Sequence, residues 1–426
     1  MKLSTAKAEI KGGALLDSFK KAYVTDDFAK AQYERYAKVL DDFVAVYGDA
    51  DRDVRLFSAP GRSEVCGNHT DHNHGCVLAA AISLDAIAAA SLNDTNTVNI
   101  KSAGYDMDSV SCDDLDINEA DKGKSRALVR GMMARFKQLG YKIGGFDATT
   151  ASQVLSGSGL SSSAAFEVLI GTMLNHLFND GKISPVEIAQ IAQFAENVHF
   201  GKPCGLLDQM ACSVGGFVEI DFKDTSAPII NKVDFDFSSC GHSLVIVDSK
   251  GDHSELTDEY AAVRSEMEAA AAVFGKSVLR DVDEHEFMKN IALVREKTSD
   301  RAVLRALHFF GDNSRVEEEV NALKNNNFEL FKSLVIDSGD SSYKYNQNVY
   351  APKLDEQPVS VALCLSEHIL KGRGAWRVHG GGFAGTIQAF VPNDLIDIYT
   401  EEMKAVFGDD SCYILSIRPV GGICLA

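Results

Sequence analysis

A glycine- and serine-rich turn at residues 155–167 runs directly into a long apolar helix and restricts the fold more than any other stretch. Its sequence reads LSGSGLSSSAAFE. Gly157 and Gly159 allow backbone angles that a side chain forbids. The serines at 161–163 stand at the predicted start of the helix, where several N–H groups have no partner. Those donors and the positive end of the helix dipole predict an anion site, which we interpret as a loop around a nucleotide phosphate.

This turn differs from the two commonest nucleotide loops. It has no Gly-x-x-x-x-Gly-Lys-Ser/Thr pattern, and it lacks the Gly-x-Gly-x-x-Gly spacing of dinucleotide-binding folds. The charge of a phosphate must therefore be balanced by the helix end, by a magnesium ion that a serine hydroxyl helps to bind, and by basic groups elsewhere. A serine- and glycine-rich helix start that binds nothing is the alternative interpretation.

The composition favours a globular protein of two domains and disfavours nucleic acid as a partner. The chain has 426 residues, a hydrophobic share of 45% and a net charge of −19, and domains typically hold about 100–200 residues. An acidic chain lacks the basic face that binds nucleic acid or an anionic membrane surface, although one local pocket can still be positive. No run approaches the ~20 apolar residues of a membrane span.

The nine cysteines indicate a reducing compartment. They are scattered, form no Cys-x-x-Cys pair and show no zinc-like Cys/His spacing. An odd number of cysteines without a disulfide framework fits the cytoplasm. The N-terminus also lacks the apolar core of a signal peptide, so we expect a cytoplasmic protein.

The hydrophobic pattern predicts strands and helices, with helices dominant in the C-terminal half. Residues 1–25 are polar and mixed, and residues 106–124 are acidic and loop-like. A shift in composition near 223–240 indicates a domain junction. The predicted helices cover 28–47, 126–139, 164–177, 185–198, 254–274, parts of 280–336, 359–370 and 395–407. The predicted strands cover 54–59, 78–90, 91–100, 146–155, 217–222, 243–247 and 412–417.

A dense polar stretch at 59–75 predicts a functional site on a loop between two strands. It reads APGRSEVCGNHTDHNHG and holds an arginine, two acidic residues and three histidines. A core strand does not tolerate so many polar groups without partners. The histidines at 69, 72 and 74 match no zinc spacing, so a metal site is disfavoured here. A solvated polar loop is the alternative.

Two further segments carry residues suited to phosphate or sugar chemistry. Ser184-Pro-Val-Glu187 is a capping box with proline at the first helical position, and it starts a helix that ends near Glu196. The segment 201–210 contains Asp208 after a glycine-containing turn. Taken alone, Asp208 is more often a helix N-cap than a catalytic residue.

Three segments in order resemble the motifs of galactokinases in the GHMP small-molecule kinase superfamily. The family's first motif, Ala-Pro-Gly-Arg-x-Asn-x-x-Gly-Glu-His-x-Asp-Tyr-Asn, corresponds to residues 59–73. The second, Gly-x-Gly-Leu-Ser-Ser-Ser-Ala-Ala, is intact at 157–165, and the third, Gly-Gly-Gly-Phe-x-Gly, is intact at 380–385. Each motif is moderately specific, whereas the ordered set is strongly specific.

Two shorter segments extend the resemblance, so that it spans roughly residues 50–426. Residues 203–209 are similar to the family's Asp-Gln segment, and residues 253–264 are similar to another family stretch. The resemblance implies an α+β GHMP kinase fold, in which two α/β lobes with mixed or antiparallel sheets enclose the active site in a cleft. The implied lobes are residues 1–228, with the sugar motif and the phosphate loop, and residues 229–426.

The resemblance also implies a reaction, the ATP-dependent phosphorylation of the C1 hydroxyl of galactose, with ATP and Mg²⁺ as cofactors. Two alternatives stay open. One is the same chemistry on galacturonate, N-acetylgalactosamine or another hexose, and the other is a catalytically silent sensor of galactose and ATP. The implied partners are small molecules, with neither nucleic acid nor membrane, and a monomer is compatible with the sequence.

The roles that the resemblance implies divide the site into three groups. Asp208 is the base or electrostatic anchor at the anomeric hydroxyl, and Arg62 holds it ionised and steadies the developing charge. Ser163 and Glu196 are the magnesium ligands. The residues implied to wrap the phosphates are Gly157, Ser158, Gly159, Leu160, Ser161, Ser162 and Ser163. The residues implied to bind the sugar are Glu64, Asn68, His69, Asp71, Gly205 and Tyr260.

The first motif departs from the family at three positions. Glu64 stands where asparagine is usual, Asn68 where a glutamate usually contacts the C6 hydroxyl, and His72 where tyrosine is usual. We hypothesise a compensated swap, in which Glu64 hydrogen-bonds the Asn68 amide and the site keeps its shape. Because asparagine both donates and accepts, the C6 group is either an unmodified hydroxyl or a group that a carboxylate repels, such as a uronate. Glu64 restores the negative charge and argues against the uronate.

Overall fold

The computed structural model describes residues 1–154, 159–251, 256–350 and 352–426, and its helices pack on two β-sheets in the expected α+β architecture. The helices are α1 (Leu3–Gly12), α2 (Leu16–Tyr23), α3 (Asp26–Ala31), α4 (Tyr33–Tyr47), α5 (Ser125–Gln138), α6 (Ser162–Phe178), α7 (Pro185–Phe194), α8 (Leu207–Val214), α9 (Thr257–Ala272), α10 (Glu284–Lys289), α11 (Ile291–Lys297), α12 (Asp300–Lys324), α13 (Phe328–Ser341), α14 (Pro358–Leu370) and α15 (Ile396–Phe407).

The strands form one large mixed sheet and one smaller antiparallel sheet. They are β1 (Arg55–Cys66), β2 (Cys76–Leu92), β3 (Thr97–Ser102), β4 (Met107–Ser111), β5 (Phe146–Ser152), β6 (Phe217–Asp221), β7 (Ile229–Val233), β8 (His242–Asp248), β9 (Ala375–Val378), β10 (Thr386–Pro392), β11 (Cys412–Leu415) and β12 (Ile423–Cys424). The large sheet runs β12-β1-β2-β5-β3-β4, with β6 on β2 and β7 on β6. β3 and β5 pair in parallel. The small sheet runs β11-β8-β10-β9.

The central strand β2 is buried on both faces, which explains its long run of small apolar residues. Successive side chains of a strand point to opposite faces. Ala86, Ala88 and Ala90 join the main core, whereas Ile87 and Ala89 join a second core beneath the N-terminal helices. The predicted buried strand at 78–90 is therefore confirmed, and it is slightly longer than predicted.

The N-terminal region is folded, which the sequence analysis missed. No element was predicted for residues 1–25, but they form α1 and α2, whose buried residues include Ile10 and Phe19. These helices and α4 cover the second face of β1 and β2. The predicted helix at 28–47 is broken into α3 and α4 at Gln32.

Strand β1 continues through Cys66, so the prediction of a loop from residue 59 is wrong for the first half of that stretch. Its register with β2 shifts twice, between Pro60 and Arg62 and between Glu64 and Cys66. A strand can carry Arg62 and Glu64 because partners elsewhere in the fold meet their polar groups. Arg62 and Glu64 are two residues apart on the strand, so both side chains point to the same face, where they line one cavity.

Two other predictions in the N-terminal half need correction. The strand predicted at 91–100 is the end of β2, a turn and the start of β3. The stretch 106–124, predicted as a loop, contains β4 and a short 3-10 turn at Glu119–Asp121. β3 and β4 pair as an antiparallel hairpin, whereas β5 lies between β2 and β3 in the sheet.

Helices α6 and α7 start close to their predicted positions, whereas α8, which carries Asp208 in its first turn, was not predicted. Helix α6 begins at Ser162, two residues before the prediction, and Ser161 takes a left-handed φ of 62° at its N-cap position. The predicted N-cap of α7 is confirmed, since the Ser184 hydroxyl accepts from the Glu187 N–H at 3.2 Å and Pro185 stands in the first turn. A π-helical turn, Ala195–Phe200, continues α7 and carries Glu196.

The chain passes between the two lobes more than once. β7, just after the predicted boundary at 228/229, joins the large sheet, and β12 returns to it at the C-terminus. The boundary therefore remains a prediction. All nine cysteines are free thiols. In the part of the chain that is described, no helix is both long and apolar enough to cross a membrane.

Candidate active site

A polar cavity of about 240 Å³ lies where β1, α8 and the glycine-rich turn after β9 meet. It brings together residues of the first motif, of the segment 203–209 and of the third motif. The lining residues are Arg62, Glu64, Asn68, His69, Asp71, His72, Cys204, Gly205, Leu207, Asp208, Gly380 and Gly381. The predicted sugar site is thus one cavity rather than a set of separated groups.

Arg62 and Asp208 form an ion pair in the wall of this cavity. The Arg62 Nε and one terminal nitrogen lie 2.8 and 2.7 Å from Asp208 Oδ1. Burial by itself would raise the pKa of Asp208, but the neighbouring guanidinium and the hydrogen bonds it receives bring the pKa below its ordinary value. Asp208 is therefore an ionised acceptor whose side chain opens on the cavity.

The same ion pair contacts the predicted phosphate turn. The Arg62 guanidinium donates to the Gly159 carbonyl, and the Ser161 hydroxyl donates to Asp208. The Arg62 N–H donates to the Leu160 carbonyl at 3.1 Å. Because the Leu160 side chain is fully buried, only its backbone faces the site. Gly157 and Ser158 of the predicted turn lie outside the described residues.

Close approach of the backbone fixes one glycine beside this turn. A Cβ on Gly61 would lie 2.8 Å from the Leu160 carbonyl oxygen. At that distance β1 and the turn before α6 would have to move apart. β1 and the turn before α6 therefore pack backbone against backbone, and this packing holds Arg62 beside the helix start.

Ser163 and Glu196, the predicted magnesium ligands, lie together. The Ser163 hydroxyl donates to Glu196 Oε1 at 3.1 Å, and Gln209 donates to Glu196 Oε2 at 2.6 Å. A hydroxyl from the start of α6 and a carboxylate from the π-helical turn after α7 are oxygen ligands that suit magnesium, which usually takes its other ligands from water and substrate phosphates. No cluster of three or more His, Cys, Asp or Glu side chains suited to a metal occurs in the described ranges.

Three residues of this region were missed by sequence reasoning. The Lys202 ammonium lies 3.1 Å from Glu196 Oε1, and Gln209 also donates to Glu167 Oε2 at 3.1 Å. Burial and the nearby Glu196 raise the pKa of Glu167 well above its ordinary value. The turn has no P-loop lysine, and a basic group elsewhere in the chain was expected in its place. Lys202, just before Pro203, is such a basic group near the turn.

The hypothesised bond between Glu64 and Asn68 is confirmed. Asn68 Nδ2 donates to Glu64 Oε1 at 2.7 Å and to the Gly380 carbonyl at 2.7 Å. The buried Arg377 lies 3.6 Å from the same Glu64 oxygen. The two exchanged residues are thus joined by a direct hydrogen bond within the first motif.

His69 and Asp71 also line the cavity. His69 Nε2 lies 3.0 Å from the Gly381 carbonyl oxygen, and burial together with the neighbouring His72 lowers the pKa of His69 to about 4. The ring is therefore neutral near pH 7 and donates from Nε2. A Cβ on Gly205 would lie 3.3 Å from Asp71 Oδ2, so the Gly205 backbone closes this side.

Tyr260 stands behind the glycine-rich turn rather than in the cavity wall. Its hydroxyl donates to the Gly382 carbonyl at 2.9 Å, and its ring packs edge-on against Phe383. A Cβ on Gly381 would lie 2.6 Å from the Tyr260 ring. Its predicted contact with the sugar remains a prediction, and His253 of the same segment lies outside the described residues.

A buried layer behind the first motif holds its backbone, and sequence spacing gave no signal for it. Asp312 accepts from the Gly67 and Asn68 N–H groups at 3.2 and 2.9 Å, and His308 Nε2 lies 2.8 Å from the Asn68 carbonyl oxygen. Both side chains come from α12 and are fully buried. The two residues lie one turn apart on the buried side of α12, which carries many other polar side chains, so the sequence alone did not single them out.

Comparison with known proteins gives a consistent result. A family model described as "GHMP kinases N terminal domain" matches residues 127–216, and one described as "Galactokinase galactose-binding signature" matches residues 41–92. A galactokinase of Streptomyces coelicolor is 30% identical over 374 residues, which are 87% of this chain and 92% of the relative. A galactokinase of Actinobacillus pleuropneumoniae is 31% identical over 378 residues, or 86% and 92% of the two chains.

Solved structures agree with the sequence relatives. The crystal structure of Lactococcus lactis galactokinase complexed with galactose has a TM-score of 0.75 and 25% identity, and the match covers 92% of this chain and 99% of that one. A mevalonate kinase crystal structure matches with a TM-score of 0.61 at 15% identity, over 85% of this chain and 99% of the other. The latter likeness concerns the fold alone.

Proposed function

Because this chain belongs to the galactokinase family of the GHMP kinases, we propose that it transfers the γ-phosphoryl group of ATP to the C1 hydroxyl of galactose. The products are galactose 1-phosphate and ADP. The Arg62–Asp208 ion pair is the observation that carries this proposal, since it borders both the polar cavity and the Gly159–Ser163 turn. A hydroxyl in the cavity and a phosphate at the turn would therefore meet at this pair.

Asp208 orients the sugar hydroxyl and takes up its proton late in the reaction. The lowered pKa of Asp208 makes it a weak base, so it gains little by removing a proton from a free hydroxyl. As the oxygen–phosphorus bond forms, the hydroxyl becomes acidic and its proton moves to the carboxylate. Phosphoryl transfer depends mainly on positioning and on charge stabilisation, which Arg62 and the start of α6 supply.

Ser163 and Glu196 would hold the magnesium ion that accompanies ATP. When bound, the ion neutralises charge on the phosphate oxygens. Lys202 is paired with Glu196 and is exposed enough to turn toward a phosphate. Gln209 fixes the second oxygen of Glu196, so that Oε1 stays directed at Ser163.

The Glu196→Gln variant tests the magnesium assignment. We expect the Mg²⁺ concentration for half-maximal rate to rise, because a neutral amide is a poor ligand for a hard cation. Loss of an outer-shell partner already costs ~10- to 100-fold in metal affinity, and loss of a direct ligand should cost at least as much. The Michaelis constant for the sugar should change little. Glu187→Gln, at the opposite end of α7, is the matched control. An unchanged Mg²⁺ requirement in Glu196→Gln would place the metal elsewhere.

The charges in the cavity favour a neutral sugar over galacturonate. Glu64, Asp71 and Asp208 line it together with Arg62, and Arg62 is already paired with Asp208. A coupled ADP-release assay over galactose, galacturonate, N-acetylgalactosamine and glucose tests this. We expect galactose to be the substrate and kcat/KM for galacturonate to be at least about tenfold lower, because like charges repel in a closed site.

The outcome of the same assay separates the remaining functions. If the chain binds ATP but forms no ADP with any of the sugars, it is the catalytically silent sensor. A preference for galacturonate or N-acetylgalactosamine would keep the chemistry and change the substrate. We also propose a cytoplasmic location, where a reducing environment keeps the nine free thiols from pairing.

A further inference from the structure

We infer that Glu64, rather than Asn68, selects the sugar at this wall of the cavity, by accepting a hydrogen bond from one sugar hydroxyl. Asn68 is then a positioning residue that aims the Glu64 carboxylate. This inference rests on the proposed sugar kinase function, and it names the residue and the direction of the hydrogen bond that determine specificity at this wall.

The amide of Asn68 is saturated by the protein. A primary amide can donate two hydrogen bonds and accept two. Nδ2 donates to Glu64 Oε1 and to the Gly380 carbonyl, both at 2.7 Å. Oδ1 accepts from Asn348 Nδ2 at 2.7 Å and from the Ser342 hydroxyl at 3.4 Å. With all four positions used and only 1% of the residue exposed, Asn68 has no group left for a ligand.

Glu64 keeps one oxygen for the cavity. Asn68 and Arg377 both approach Oε1, at 2.7 and 3.6 Å. No described residue donates to Oε2, and Glu64 is a lining residue of the cavity. Glu64 Oε2 is not among the buried side-chain atoms that lack a partner, so it is accessible from the cavity. A ligand that displaces water from this oxygen must supply a donor in its place, because an unpaired carboxylate oxygen in a closed site is costly.

The electrostatic environment supports this assignment. Burial raises the pKa of the Glu64 carboxyl, although Arg377 and Asn68 act in the opposite direction. The protein alone therefore compensates the carboxylate only in part. A neutral sugar with a hydroxyl at this position completes the compensation, whereas a sugar that lacks the hydroxyl leaves the acceptor unpaired.

Single-deoxygenated sugars read this hydrogen bond directly. We would measure kcat/KM and the calorimetric Kd for galactose and for its 2-, 3-, 4- and 6-deoxy forms. In the wild-type chain, removal of the hydroxyl that meets Glu64 should cost about 10- to 100-fold, the range of a charge-assisted hydrogen bond. In Glu64→Gln, which is isosteric but presents an amide, the same deoxygenation should cost less than about threefold.

Two further variants make the result specific. Glu64→Asp keeps an acceptor and should retain part of the penalty. Asp71→Asn removes a carboxylate from the same cavity and should retain all of it, whatever its effect on overall activity. The inference is overturned if Glu64→Gln keeps the full penalty, or if Asp71→Asn abolishes it.

The binding arm separates this inference from the proposed function. If the wild-type chain releases no ADP with galactose, the kinase proposal fails, yet the calorimetric Kd values still show whether Glu64 accepts from the sugar. If galactose is phosphorylated and the deoxysugar penalties are the same in wild type and Glu64→Gln, only the assignment of Glu64 fails.

Discussion

Replacement of Asp208 by asparagine is expected to lower kcat by about 10²- to 10⁴-fold, the usual contribution of a positioned acid–base group. Asparagine has the same shape and can still accept from Arg62, but it cannot take up the proton of the C1 hydroxyl. ATP binding should persist, because the start of α6 and Ser163 are unchanged. Single-turnover ADP release and the Kd for ATP measure the two effects separately.

The control for this prediction is another carboxylate of the same cavity. Asp71→Asn should act mainly on KM, because Asp71 lines the cavity without pairing to Arg62. Should Asp208→Asn keep more than about a tenth of the rate, the expected contribution of an acid–base group is absent, and Asp208 does not act on the hydroxyl. Thermal unfolding of each variant checks that the loss is not one of folding.

The pH behaviour of the ion pair supports its use near neutrality. The folded-state pKa of Asp208 lies below the ordinary carboxyl value, so the pair contributes stability above that value and loses it as pH falls through the lowered pKa. Asp208 therefore stays ionised near neutral pH. Loss of activity between pH 8 and 5 would have to come from another group.

Regular hydrophobic patterns made much of the fold predictable. The helices predicted at 126–139 and 359–370 agree with α5 and α14 to within a residue at each end. The alanine-rich run of β2 was correctly predicted as a buried strand because both of its faces are covered. In these segments the local period and the tertiary environment demand the same side chains.

Where tertiary partners decide the structure, the sequence pattern was insufficient. Ile10 and Phe19 pack in a cluster that combines α4 with the second face of the large sheet. The high polar content of residues 1–25 concealed the apolar face of these short helices. Arg62 and Glu64 can lie on a strand because their polar groups have hydrogen-bond partners. Asp208, far along the chain, pairs with Arg62, and Asn68, in the turn after β1, pairs with Glu64. Polar density excludes a strand only when such partners are lacking.

The site residues were likewise predictable where the local sequence determines them, and unpredictable where distant partners do. The motif residues that touch the cavity were identifiable because each segment combines glycines with polar groups at fixed spacing. The residues that orient them, such as Asp312, Asn348 and Arg377, are brought from far along the chain. Their spacing from the motifs carries no information, and only the fold shows that Asn68 is fully engaged.

The largest expected effect on stability concerns Asp85, which joins the N-terminal helices, the large sheet and the C-terminal segment. Its carboxylate is fully buried and accepts from Tyr23 at 2.6 Å, Arg35 at 2.8 Å and Arg418 at 3.1 Å, and also from Ser58. Burial by itself would raise the pKa of Asp85, but Arg35 and Arg418 lower it below the ordinary value. The charge is thus held by partners from several distant segments.

We expect Asp85→Asn to reduce the free energy of unfolding by about 3–5 kcal/mol, the cost of removing one member of a buried ion pair. Arg418 is fully buried and would keep its charge without a counter-ion. Urea unfolding at pH 7 measures the effect, and Asp42→Asn is the control. Asp42 pairs with Lys38 on the surface of α4, so its loss should change stability by no more than about 0.5 kcal/mol.

The pH dependence gives an independent check on the same group. Because the folded-state pKa of Asp85 is lowered, its contribution is complete above the ordinary carboxyl pKa and disappears as pH falls through the lowered value. The difference in stability between wild type and Asp85→Asn should therefore be constant from pH 8 to 5 and shrink in more acidic solution. Exposed ion pairs contribute no more than about 1 kcal/mol. If wild type and Asp85→Asn differ in stability by less than this at pH 7, Asp85 is not the counter-ion that Arg418 requires.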